Sequence, residues 1–136
     1  MEMTLHKGTS IIFLNSEHKV LLILRDNIPE IAYPNMWDLP GGGIEGDETP
    51  EQTIIREMKE EMDLDLKEFS LFSVTEFVDR LEYTFWKKIN LNIEETKLNE
   101  GQILKWFSEK EIRMIELAFN FNTIIENFYK KRPFLS

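Results

Sequence analysis

Between residues 41 and 64 the chain reads Gly-Gly-Gly-Ile-Glu-Gly-Asp-Glu-Thr-Pro-Glu-Gln-Thr-Ile-Ile-Arg-Glu-Met-Lys-Glu-Glu-Met-Asp-Leu. Few folds accommodate a glycine run, an acidic turn and a helix whose start is so fully specified. Thr49 suits the N-cap, Pro50 the first helical position, and Gln52 closes a capping box with Thr49. The spacing predicts a helix over residues 50–62. Successive helical residues are rotated by about 100°, which puts Ile54, Ile55, Met58 and Met62 on an apolar stripe that docks the helix. Glu57, Glu60 and Glu61 form an adjoining acidic stripe that is displayed. Carboxylates at such spacings repel one another by a few tenths of a kcal/mol per pair, and a divalent cation reverses the sign of that interaction. Hard oxygen ligands on a rigid element suit Mg²⁺, whereas the plain alternative is a solvated acidic face. Arg56 can pair with Glu60 one turn on or reach back to Glu48, and the glycines before Glu45 let the backbone turn tightly and approach a ligand.

Gly42, five residues, Glu48, seven residues, then Arg56-Glu57-Met58-Lys59-Glu60-Glu61-Met62-Asp63-Leu64 resembles the Nudix box, the signature of the Nudix hydrolases. Every fixed position matches except one, since the family places glycine where Asp63 stands. That position lies just past the helix, where a left-handed residue is expected. Aspartate tolerates this conformation better than most non-glycine residues, so a modest local cost and an intact site are expected.

The resemblance implies an α+β domain, α/β/α layered, in which a mixed β-sheet is sandwiched between helices. It implies Mg²⁺, with Mn²⁺ as a substitute, held by Glu57, Glu60 and Glu61, and hydrolysis of a nucleoside diphosphate linked to another moiety. Glu60, Glu61 or Glu100 would be the general base, Arg56 would orient the glutamates, Glu48 would assist, and Gly42 and Gly43 would shape the turn. Glu100-Gly101-Gln102 resembles the MutT-like branch, where the glutamate is a further metal ligand or base. This favours a nucleoside triphosphate, including an oxidised purine form such as 8-oxo-dGTP. A nucleotide sugar, ADP-ribose, a dinucleoside polyphosphate and a capped RNA end stay open, as does a non-catalytic nucleotide-binding regulator.

A chain of 136 residues suffices for one domain with a real core. The absence of cysteine excludes disulfides and thiolate metal sites, and His6 and His18 lack metal-ligand spacing. A formal charge of −9 argues against long nucleic acids and anionic membranes; a small anionic substrate can still bind where metal ions invert the local field. No signal peptide or apolar run of membrane length is visible, so a cytoplasmic monomer or homodimer is expected, the dimer by analogy alone.

Residues 7–13 and 19–25 read as adjacent strands or a hairpin, the second buried on both faces. Arg25, the first cation after that strand, could face solvent or a phosphate. Residues 26–36 form a loop, and Tyr33 and Trp37 could stack on a base, although Trp37 is equally explained as core. Strands are predicted over residues 69–77, 80–89 and 103–107, with a polar loop over 90–99. Ser108 and Glu111 start a helix over 109–117, and 121–130 is a terminal helix docked by Ile124, Ile125 and Phe128. Asn120 or Asn122 could read a purine edge, as an asparagine in this region does in MutT-like proteins.

Overall fold

The computed structural model describes residues 6–135. Strands β1 (His6–Leu14) and β2 (Val20–Leu24) are joined by a tight turn in which the Asn15 side chain accepts from the amides of Glu17 and Lys19. Short strands β3 (Trp37–Asp38) and β4 (Gly41–Gly43) precede helix α1 (Pro50–Met62); β5 (Ser70–Glu76), β6 (Arg80–Lys88) and β7 (Leu104–Phe107) follow. The chain ends with α2 (Glu109–Arg113), a 3₁₀ turn at Ala118–Asn120, α3 (Phe121–Lys131) and a last 3₁₀ turn.

The alternation of side chains along a strand builds the layers. Ile11, Phe13 and Leu21 point to one face, where they meet Ile54, Met58 and Met62 of α1. Ile12, Leu14, Val20 and Leu22 point to the other, where they meet Phe121, Ile124, Ile125 and Phe128 of α3. The sheet is mixed, ordered β3-β2-β1-β6-β5, with β1 and β6 parallel from His6 opposite Arg80 to Leu14 opposite Lys88. The α/β/α sandwich expected from the sequence is therefore present.

One topological detail creates the site. Strands β1 and β2 are ladder partners at Leu14 and Val20 and then part. Beyond that point β1 takes β4 as its neighbour, while β2 takes β3 and β7. The segment from Trp37 to Gly43 bridges the opening, fastened by the Ile11 amide to the Pro40 carbonyl at 3.0 Å.

Three local expectations are corrected. Ile55 does not dock α1; it is 41% exposed, and the buried arc instead contains Thr53, Ile54, Met58, Glu61 and Met62. The helix after Ser108 stops at Arg113 rather than 117, because the Asn122 amide of α3 donates to the carbonyls of Ile112 and Ile115 and accepts from the Leu117 amide. That satisfies the free groups of the helix end and makes further helical turns unnecessary. The glycine run, read as a turn, is a paired strand with Gly41, Gly42 and Gly43 opposite Ser10, Thr9 and Gly8.

Asp63 adopts the left-handed conformation, φ 51° and ψ 34°, with its amide bonded to the Lys59 carbonyl and its carboxylate 2.9 Å from Lys59 Nζ. The exposed ion pair offsets little of the conformational cost. Asp63→Gly is expected to raise the thermal midpoint by about 2–4 °C, measured by calorimetry.

Candidate active site

Arg56 is the hub of the acidic surface. Its Nε and Nη2 donate to Glu48 at 2.7 and 2.9 Å, Nη1 donates to Glu57 at 3.0 Å and to Glu60 at 3.1 Å, and Nη2 also reaches the Gly43 carbonyl at 3.2 Å. The fork geometry of the guanidinium suits this branching, which a lysine could not reproduce. Glu48 is held further by Thr53 Oγ1 and the Glu45 amide, each at 3.0 Å. The hydrogen bonds from Arg56 and Glu45 lower its pKa to about 2. Arg56→Lys is expected to cut turnover by about 10–100-fold while leaving the fold intact, in the range usual for groups that orient ligands.

The glutamates differ sharply in environment. Glu60 is half exposed and turned to Arg56. Glu57 is largely covered, and burial raises its pKa against the opposing charge of Arg56. A Cβ on Gly42 would run into the Glu57 carboxylate, so glycine makes the room for it. Gly41, at φ +149°, is excluded to other residues by the Thr9 carbonyl as well. Glu61 is 6% exposed, with Oε2 lacking a hydrogen-bond partner. Burial pushes its pKa up to about 9, reinforced by the charges of Glu57, Glu100 and Asp38 and opposed by the Gly41 backbone amide. It is therefore not displayed, as the stripe reading expected. Glu61 lies seven residues after Ile54, two helical turns on, so it shares the docking face; that spacing was the available signal.

Glu100 reaches the same opening from another element. The Asn99 amide donates to the Glu61 carbonyl at 2.7 Å and its side chain to the Glu60 carbonyl at 3.0 Å, strapping the loop to α1. Gln102 fastens the other side, its amide to the Leu24 carbonyl and its side chain to the carbonyl of Arg25. A pocket of about 150 Å³ is lined there by Arg25, Asp38, Leu39, Gly41, Glu61 and Glu100, among others. Among the described residues, no three acids or imidazoles converge to a ready metal-ligand cluster.

The expected substrate-contacting residues separate. Arg25 does line the pocket, with its guanidinium on Asp38 at 3.0 Å and on the Ala32 carbonyl at 2.8 Å, and packed over the Phe119 ring. Tyr33 is exposed and leans on Phe119, centroid to centroid 4.7 Å. Trp37 packs edge-on against Phe107, part of the core on the α3 side, which is its plainer reading. Asn120 occupies the left-handed N-cap of α3 without a side-chain capping bond and lines neither pocket beside the glycines. Asn122 is committed to the backbone of the segment after α2. Phe119 stands on the wall instead, with Asp38 and Glu82, and these two acids together with the strap residue Asn99 were not singled out from the sequence. For Glu82 the signal was the Arg80-Leu-Glu-Tyr pattern, in which opposite charges two apart share one strand face.

A mixed sheet lies between two helical layers, and Asp38, Glu61 and Glu100 line one pocket where β1 and β2 part. Residues 4–131 match the NUDIX domain, and the chain belongs to the Nudix family. It is 30% identical over 116 residues to an RNA pyrophosphohydrolase of Zymomonas mobilis, covering 85% of this chain and 70% of that protein. It is 36% identical over 74 residues to an 8-oxo-dGTP diphosphatase of Escherichia coli, covering 54% and 51%. The chain spans about half the length of several curated relatives it matches. A MutT protein from Methanosarcina mazei shares the fold with a TM-score of 0.75 at 20% identity, over 98% of this chain and 99% of that one. Among the described residues, no helix is long and apolar enough to cross a membrane.

Proposed function

We propose that the protein hydrolyses a pyrophosphate linkage in a small nucleotide with the help of Mg²⁺, for which Mn²⁺ can substitute. The observation that carries this reading is Glu61: a carboxylate buried with one oxygen unpartnered, within electrostatic reach of Glu57, Glu100 and Asp38. Such an arrangement is costly to a fold that gains nothing from it. A divalent cation fits the donor set, all hard oxygens, and would be held by Glu57, Glu60, Glu61 and Glu100. When bound it would neutralise phosphate charge and make an attacking water more acidic.

The remaining work falls to the chain itself. Arg56 holds Glu57 and Glu60 in register with Glu48. The Asn99 strap ties the loop that carries Glu100 to α1, and the exposed Glu100 carboxylate would serve either as a metal ligand or as the base that accepts a proton from water. Arg25 lies on the same wall with a cationic edge toward an incoming phosphate.

A nucleoside triphosphate, cleaved to monophosphate and pyrophosphate, is the favoured substrate. The 8-oxo-dGTP named for the Escherichia coli relative supports attack on a triphosphate, and the charge of −9 disfavours a long RNA. The test is product analysis on ribo- and deoxynucleoside triphosphates, 8-oxo-dGTP, nucleotide sugars, ADP-ribose and 5′-triphosphate RNA, each with Mg²⁺ and with chelator. Metal-dependent release of pyrophosphate from a triphosphate is expected. Turnover of none of these, or turnover that survives chelation, contradicts the proposal.

A further inference from the structure

Two loops bring charge to the acid pocket from outside the Nudix box: the one over residues 26–36, with Arg25 at its base, and the segment 99–102, which carries Glu100. The first closes on itself at its neck, where the Arg25 amide donates to the Met36 carbonyl at 2.9 Å and the Asn35 amide to the Asp26 carbonyl at 3.1 Å. The Arg25 guanidinium is folded into the same unit by its bonds to Ala32 and Asp38. Among the described residues nothing accepts from its Nη2, and the side chain keeps 23% of its surface exposed.

Gln102 grips that neck from the other loop. Its Nε2 carries two protons. One is donated to the Arg25 carbonyl at 2.7 Å, on the entering limb, and the other to Asn35 Oδ1 at 3.0 Å, on the leaving limb. The Gln102 amide adds a bond to the Leu24 carbonyl at 2.8 Å. Gly101, at φ +86°, makes this approach possible, since a Cβ there would meet Ile23 Cδ1 at 2.7 Å. On the other flank of Glu100, Asn99 is tied to the carbonyls of Glu60 and Glu61. The segment is thus a short clasp with one end on the helix of the box glutamates and the other on the Arg25 loop.

Gln102 is exposed and lies outside the pocket wall, so it acts through what it holds. Water would satisfy an exposed amide equally well; what the two bonds add is a fixed spacing between the loops. A phosphate group bound at once by a cation on the glutamates and by Arg25 needs that spacing, whereas the cation alone does not. We propose that Gln102 is a positioning residue for phosphate affinity, holding Arg25 at a set distance from the acids by clasping the neck of its loop. The phosphate contact of Arg25 rests on the function proposed above; the coupling of the two loops does not require turnover.

The test is Gln102→Met, which keeps the length of the side chain and removes both donors without adding charge beside Glu100. By calorimetry in Mg²⁺ its affinity for inorganic pyrophosphate is expected to fall about tenfold or more, while its affinity for Mn²⁺ alone stays within about twofold of the wild type. Hydrogen exchange at the amides of Arg25 and Asn35 is expected to quicken by about fivefold or more, with α1 unchanged. With a triphosphate substrate the loss should fall on KM, leaving kcat within about threefold. Equal affinity of the two proteins for pyrophosphate, no binding by the wild type, exchange no faster in the variant, or an equal loss of Mn²⁺ affinity overturns the assignment. Weaker pyrophosphate binding and faster exchange in the variant, with no turnover of any triphosphate by the wild type, removes the hydrolase reading and leaves the clasp standing. Turnover by the wild type, with the two proteins alike in affinity and exchange, does the reverse.

Discussion

Glu61→Gln is expected to lower metal-dependent turnover by about a thousandfold or more while making the metal-free protein more stable. The two effects have one cause. The carboxylate sits beside Glu57, Glu100 and Asp38 in a region where burial already pushes its pKa to about 9. With its folded pKa so far above 4.5, Glu61 must take up a proton to fold at neutral pH, and glutamine removes that cost, a gain on the order of 2 kcal/mol. The same substitution removes a ligand from the set proposed to hold the cation. A core residue would show neither sign in this combination, since an isosteric change there costs stability and leaves chemistry alone. Thermal midpoints in chelator, paired with turnover in Mg²⁺, check it; a destabilised variant that keeps full activity would contradict the assignment.

The second large effect concerns pH. For Glu61 the folded pKa of about 9 lies above the ordinary carboxylate value of 4.5, and for Asp38 it is raised to about 7 from 3.8, each chiefly by burial. Between the ordinary and the raised values the native state holds more protons than the unfolded state, so stability falls as pH rises. The depressed pKa of Glu48, about 2, acts the other way. Its contribution is present above 4.5 and is lost only as pH falls toward 2, so it is constant across the window that matters. The metal-free protein is therefore expected to lose thermal stability from about pH 5 to pH 9. Mg²⁺ should restore it, and by more at pH 8.5 than at pH 6, because the ion binds the ionised carboxylates. Midpoints measured across that range with chelator and with Mg²⁺ decide the matter. A flat profile without metal, or a Mg²⁺ shift of equal size at every pH, goes against the account.

How much of this was legible in the sequence depends on which residues carry the information. Helix α1 was legible to the residue, because Thr49, Pro50 and Gln52 specify its start locally and Asp63 marks its end. The strands β1, β2, β5 and β6 were legible to within one residue at each end, since continuous apolar runs in the first two and alternation in the others are bounded by turn residues. Strand β4 was not, because glycines carry no side-chain pattern and its pairing with β1 depends on contacts more than thirty residues away. The early stop of α2 depends in the same way on Asn122, which acts from the next helix.

The site divides along similar lines. The acids of the box were visible as a cluster, and Arg56 was visible as their partner. Glu61 was misplaced on the surface because the docking stripe was drawn with Ile55 beside Ile54, Met58 and Met62, whereas the face that meets the sheet runs through Ile54, Met58, Glu61 and Met62. Asp38 and Glu82 were not legible as neighbours, because they lie on different strands and come to line one pocket through the order β3-β2-β1-β6 of the sheet. Asn99 looked like an ordinary loop residue, and its role as a strap depends on the exposed carbonyls at the end of α1.

The most direct test of the central claim needs no substrate. Titration of Mn²⁺ into the wild-type protein and into Glu57→Gln at pH 7.5, followed by electron paramagnetic resonance of the free ion, measures whether these carboxylates hold a divalent cation. Saturable binding by the wild type, weakened at least about tenfold in the variant, is the predicted result. Equal Mn²⁺ binding by the two proteins, or none by the wild type, would contradict it.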